Sequence, residues 1–112
     1  MKSQRHVRAY RPDILLAAGR RAAEIAWLLA RTNSTPWVAV GHGGEYNPRS
    51  RFARAEVRWI YSRAHAVICV SAFTRRFIET QRIRPRRVYV VPNGADDRQF
   101  RLIEPFERDA VL

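Results

Sequence analysis

Residues 37–46 (Trp-Val-Ala-Val-Gly-His-Gly-Gly-Glu-Tyr) constrain the fold more tightly than any other stretch of this 112-residue chain. A short apolar run containing Val38 and Val40 stops abruptly at a Gly-His-Gly-Gly-Glu loop. This is the pattern of a buried parallel strand reaching its carboxyl end. Gly41, Gly43 and Gly44 open backbone conformations closed to other residues and let a ligand approach the main chain. Open α/β sheets bind their ligands at the carboxyl ends of their strands. The chemistry is therefore expected at His42 and Glu45.

The flanking sequence repeats the strand-then-helix pattern. Residues 14–18 (Ile-Leu-Leu-Ala-Ala) read as a strand ending at Gly19. Residues 20–31 place Ala22, Ile25, Ala26, Leu29 and Ala30 at helical spacing, and Asn-Ser-Thr-Pro at 33–36 breaks that helix. Ser50 caps a second helix whose core face is Ala53, Val57, Ile60, Tyr61 and Ala64. Residues 66–70 form a third strand. Ser71 caps a third helix that buries Phe73, Phe77 and Ile78. Residues 88–91 form a fourth strand, and Asn93-Gly94 suits a tight turn with positive φ. Residues 1–11 are basic, carry little pattern and are left irregular. Four strands alternating with three helices predict an α/β, Rossmann-like parallel sheet, doubly wound, with helices on both faces. The phosphate-binding patterns GxGxxG and GxxxxGK[ST] are absent from the sequence.

Charge narrows the partners. Lys and Arg number 21 against 10 Asp and Glu, a formal net charge of +11, and Lys2 is the sole lysine. Such a balance suits a surface that meets phosphate, as nucleic acid or anionic lipid, or reflects an arginine-rich composition alone. The single Cys69 lies in an apolar run and reads as a core residue; no Cys/His cluster has zinc spacing. This fits a reducing compartment. No apolar stretch approaches membrane-spanning length.

Four segments together resemble the amino-terminal domain of family-4 glycosyltransferases. They are Pro12-Asp13-Ile14-Leu15, His42-Gly43-Gly44-Glu45, Ala66-Val67-Ile68-Cys69-Val70-Ser71 with Thr74-Arg75, and Val91-Pro92-Asn93-Gly94-Ala95-Asp96 with Phe100. The resemblance covers roughly residues 11–100. It implies a retaining, nucleotide-sugar-dependent enzyme of the two-Rossmann-domain (GT-B) type, with no obligatory metal and no cofactor beyond the donor co-substrate. Ala95 replaces the family's usual valine, and His65 stands where an aspartate is common. The family's opening strands and its whole donor-binding second domain have no counterpart here. The chain thus reads as a partial acceptor-side domain over residues 12–100, with an interdomain linker starting over residues 101–112.

By this resemblance His42 faces the interdomain cleft and contacts donor sugar or acceptor, and it is the one residue expected at the catalytic centre. Imidazole donates or accepts a hydrogen bond near neutral pH, which suits a sugar hydroxyl. Gly43, Gly44 and Glu45 are candidate substrate-binding residues beside it. The bland alternatives are backbone geometry for the glycines and plain solvation for Glu45. Ser71 is at once a helix cap and a source of N–H groups for an anion, which Arg75 would reinforce. Asn93 and Gly94 form a second loop at the same sheet edge, most simply a structural turn.

The expected function is sugar transfer from a nucleotide donor, bound by a second domain, to a hydroxyl acceptor. The chain alone is expected to be inactive. Arg49, Arg51, Arg54 and Arg58 form a basic ridge suited to an anionic membrane surface, so the expected location is cytoplasmic, peripheral at the inner membrane face. Two rivals compete: a basic nucleic-acid-binding module, disfavoured because no recognition signature is visible, and a non-catalytic remnant or interaction domain. A sheet covered on one side would also expose apolar surface and favour self-association.

Overall fold

The computed structural model describes residues 2–94, so Ala95, Asp96, Phe100 and the expected linker lie outside the described residues. Helix α1 spans Lys2–Tyr10, strand β1 Leu15–Ala18, α2 Arg20–Asn33, β2 Trp37–Gly41, α3 Arg51–Tyr61, β3 Ala66–Cys69, α4 Ala72–Thr80 and β4 Arg87–Val90. A single 3₁₀ turn, Gly44–Tyr46, follows β2. The strands and the three connecting helices fall where the sequence pattern puts them.

The amino-terminal helix does not follow expectation. Lysine, glutamine, arginine and alanine are all good helix formers, and no glycine or proline interrupts them before Pro12. Arg11, with φ of 51°, and Pro12 then stop the helix. α1 buries none of its residues and rests beside α2.

All four strands are parallel, in the order β1-β2-β3-β4. Right-handed crossovers advancing in one direction must place their helices on one side of the sheet. The core shows this. Ala17, Trp37, Ala39, Val67 and Cys69 point to one face and pack against Ala23 and Ala26 of α2, Val57, Ile60 and Tyr61 of α3, and Ile78 of α4. The described sheet is therefore singly wound, which corrects the doubly wound expectation. The opposite face carries the rows Leu16–Val38–Ala66–Arg87 and Ala18–Val40–Ile68–Tyr89. On this face Leu16, Ala18, Arg87 and Tyr89 are exposed, 68% in the case of Leu16, and Val40 and Ile68 are half-buried, whereas Val38 and Ala66 are buried.

Two helix faces are rotated from their expected positions. On α2 the buried residues are Ala23, Ala26 and Leu29, while Ile25 is exposed. β1 is an edge strand, so the flank of α2 carrying Ala22 and Ile25 overhangs an open apolar recess bounded by Leu15, Leu16 and Leu29. On α4, Thr74 and Ile78 are buried and Phe73 is exposed. The cap explains this: Thr74 N–H donates to Ser71 Oγ at 3.1 Å, and the two hydroxyls lie 3.0 Å apart. A satisfied threonine is cheap to bury. Phe73 is left outside, its ring stacked on Phe77 at 6.4 Å.

Candidate functional site

The carboxyl ends of β2, β3 and β4 lie side by side, and the backbone ladder continues past the strands. Val70 N–H donates to Gly41 O at 3.4 Å, and Val91 N–H donates to Cys69 O at 2.8 Å. His42, Ser71 and the Pro92–Gly94 segment therefore leave the sheet along one rim. The parallel topology alone brings these candidate residues together.

The loop after β2 has an internal clamp. Glu45 Oε1 accepts the His42 N–H at 2.8 Å, and Oε2 accepts the Gly43 N–H at 3.1 Å. Both carboxylate oxygens are thus engaged by the backbone of their own loop, and the side chain is half-buried rather than simply solvated. Charge-assisted bonds of this kind are about twice as strong as neutral ones. The clamp requires Gly43 to adopt a φ of 121°, which residues with a Cβ rarely reach. Gly44 opens the 3₁₀ turn that carries Glu45 back over the loop.

Beneath the clamp lies Tyr46, 1% exposed and edge-on to Tyr61 with ring centroids 4.9 Å apart. Its ring covers Gly41 so closely that a Cβ there would collide with the Tyr46 ring and hydroxyl. Burial pushes both phenols well above their usual range. Their hydroxyls are buried without a hydrogen-bond partner among the described residues. Burial likewise raises the Cys69 thiol, in line with its core reading. Sequence reasoning misses Tyr46 here, and it assigns Gly41 backbone freedom where the structure shows that glycine making room for the Tyr46 ring, with no positive φ. The available signal was an aromatic directly following a Gly-rich loop whose strand ends in glycine.

His42 itself is exposed, and its ring makes no hydrogen bond among the described residues. It stands on a fixed backbone with a free imidazole. Ser71 is the N-cap of α4, as expected, and Ser50 caps α3 through Ala53 N–H at 3.4 Å. Arg75 is turned along its own helix, with Nε 3.5 Å from Glu79 Oε1. Asn93 and Gly94 leave the sheet at the rim, but Gly94 lacks the positive φ expected of a tight turn. Pro92 fixes its own φ, and residues 91–94 form neither a turn nor a bend. Phe52 and Phe73, in the first turns of α3 and α4, are exposed, 89% in the case of Phe52.

Among the described residues no group of three His, Cys, Asp or Glu is placed to hold a metal ion. No helix there is long and apolar enough to cross a membrane. The arrangement offers a rigid glycine loop, a free imidazole and a capped helix start, all suited to hydrogen-bonding a polar, uncharged or anionic ligand.

A search of the curated proteins finds no match. The family model described as Glycosyltransferase Family 4 matches residues 1–99. That match spans every described strand and helix, so the chain belongs to glycosyltransferase family 4.

Proposed function

We propose that the chain is part of the acceptor-side domain of a retaining, nucleotide-sugar-dependent glycosyltransferase of GT-B type. In the complete enzyme a second domain holds the donor, and the sugar passes to a hydroxyl acceptor, a lipid-linked or cell-envelope glycan. Rate comes from holding donor and acceptor together and from stabilising the departing diphosphate. His42 positions a sugar hydroxyl; Gly43 and Gly44 shape the loop; Glu45 holds it through the two backbone bonds. Ser71, Arg75, Asn93 and Gly94 border the same rim as secondary contacts. The observation that carries this reading is the exposed imidazole of His42 on a backbone fixed by Glu45. The exposed Arg51, Arg54 and Arg58 of α3, gathered beside Gln81, support the accompanying proposal of peripheral contact with an anionic membrane at the cytoplasmic face.

The test is amide and imidazole NMR on the chain, titrated with simple glycosides. Shifts concentrated at residues 42–46 and 71 are expected, and they should vanish in His42→Ala. Glu45→Gln keeps one acceptor oxygen, so it should weaken binding and speed amide exchange at His42 and Gly43 without unfolding the chain. Shifts spread evenly over the surface, or unaltered by His42→Ala, would overturn the reading. Donor turnover by the isolated chain would contradict the proposed division of labour.

A further inference from the structure

A second concavity lies at the other pole of the sheet, where the strands begin. It has a volume of about 560 Å³ and is walled by the ends of α2 and α3 and by the residues that enter β2, β3 and β4. Its lining combines the apolar Trp27, Ala30, Pro36, Trp37 and Trp59 with the cationic Arg31, Arg63 and Arg86; His65 also lines it, and no carboxylate does. The volume falls within the range of small-molecule sites, about 300–1,000 Å³.

The cationic groups are held in place. Trp27 and Trp59 meet edge to face at 4.8 Å, and each carries an arginine, Arg63 at 3.7 Å from the Trp59 centroid and Arg31 at 5.6 Å from that of Trp27. Cation–π contact restrains each guanidinium, most closely that of Arg63, and leaves N–H groups for a ligand. Arg63 spends one donor on Trp59 O at 2.9 Å, out of the five that a guanidinium offers. Arginines near helix carboxyl ends commonly offset the helix dipole, and Arg31 and Arg63 do so here. Arg86 does not: it precedes β4 in a loop, and it converges on the same space. The ion pairs of the described residues all lie elsewhere.

We infer that this amino-pole pocket binds a small phosphorylated compound with a flat ring, a nucleoside mono- or diphosphate. Its phosphate meets Arg31, Arg63 and Arg86, and its ring lies against the indole wall. The site is independent of the His42 rim, at the opposite end of the strands, so the two readings stand or fall separately.

The chain's three tryptophans all line the pocket, so intrinsic fluorescence reports on it directly. The intact chain would be titrated with ADP, inorganic pyrophosphate and adenosine, with excitation at the red edge of tryptophan absorption. Saturable quenching by ADP is expected, with weaker competition from pyrophosphate and from adenosine alone. Arg86→Gln, in an exposed loop, and Arg31→Gln should each weaken ADP about tenfold, roughly 1.4 kcal/mol. Arg76→Gln on α4, exposed and outside the pocket, should leave binding unchanged. Circular dichroism confirms that each variant is folded. Absence of saturable quenching overturns the proposal, and so does an equal loss in Arg76→Gln, which would mean diffuse charge attraction. Pyrophosphate binding as tightly as ADP overturns the ring contact. Binding to vesicles of anionic phospholipid that Arg31→Gln and Arg86→Gln abolish, without any ADP effect, would reassign this surface to a membrane and defeat the inference.

Discussion

The two faces of the sheet use the same backbone and opposite packing. On the covered face Ala17, Trp37, Ala39, Gly41, Val67 and Cys69 are buried, and three helices close in over them. On the opposite face Leu16 and Tyr89 are exposed and Val40 and Ile68 only half-buried, although Val38 and Ala66 between them are buried. The difference teaches where sequence change should be felt. A close-packed face resists any added atom, whereas an open face accommodates substitution and responds through association instead.

The sharpest test of that contrast is Gly41→Val. Its side chain must enter the space of the Tyr46 ring, which is itself wedged against Tyr61. A loss of about 3 kcal/mol or more is expected in a denaturant melt. Val40→Ala, one residue earlier and on the open face, should cost about 1 kcal/mol or less. Equal costs would erase the distinction between the faces.

A smaller effect appears in alkali. Burial holds the Tyr46 and Tyr61 phenols protonated in the folded chain, whereas the unfolded chain ionises them near pH 10. Their folded values are raised, so stability is flat below about pH 9 and falls above pH 10 as the unfolded state releases protons. Each tyrosine contributes a slope of up to about 1.4 kcal/mol per pH unit. Cys69, shifted in the same direction, starts the decline slightly earlier. Tyr46→Phe should remove one such share of the slope. Near neutral pH it should change stability little, because the hydroxyl it deletes has no partner among the described residues. An unchanged alkaline limb in Tyr46→Phe would show that Tyr46 is not the titrating group.

The smallest stability change is expected at Leu16→Lys on the open face, within about 0.5 kcal/mol of the parent. Its effect should appear in sedimentation velocity instead, as a loss of concentration-dependent self-association driven by exposed apolar surface. A parent chain that stays monomeric at high concentration would remove the basis for that expectation.

The strands and connecting helices were legible in the sequence because periodicity and capping act locally. Ser50, Ser71 and the run ending at Gly41 all carry their own signals. What local pattern could not supply was the side of the sheet on which each helix lies. That follows from strand order, a long-range property, and it is why the expected double winding failed. Phe73 was misplaced for a related reason: hydrophobicity favoured burying it, while the Ser71–Thr74 cap set the rotation of α4. At the site, the sequence pointed to the loop, but it left Glu45 as a solvated or substrate-facing carboxylate. Its two backbone bonds depend on the folded path of residues 42–45. The amino-pole pocket had no linear signature, since its walls come from five separate segments.

Because every strand lies next to its predecessor in the chain, no strand must wait for a distant segment before it can pair. The sheet can therefore assemble in the order of synthesis, each new strand and helix docking onto an already formed edge. Nascent chains stalled once residue 62 has emerged from the ribosome should already protect the β1–β2 amides from exchange. If protection arose only once β4 had emerged, the growth of this sheet would be concerted rather than directional.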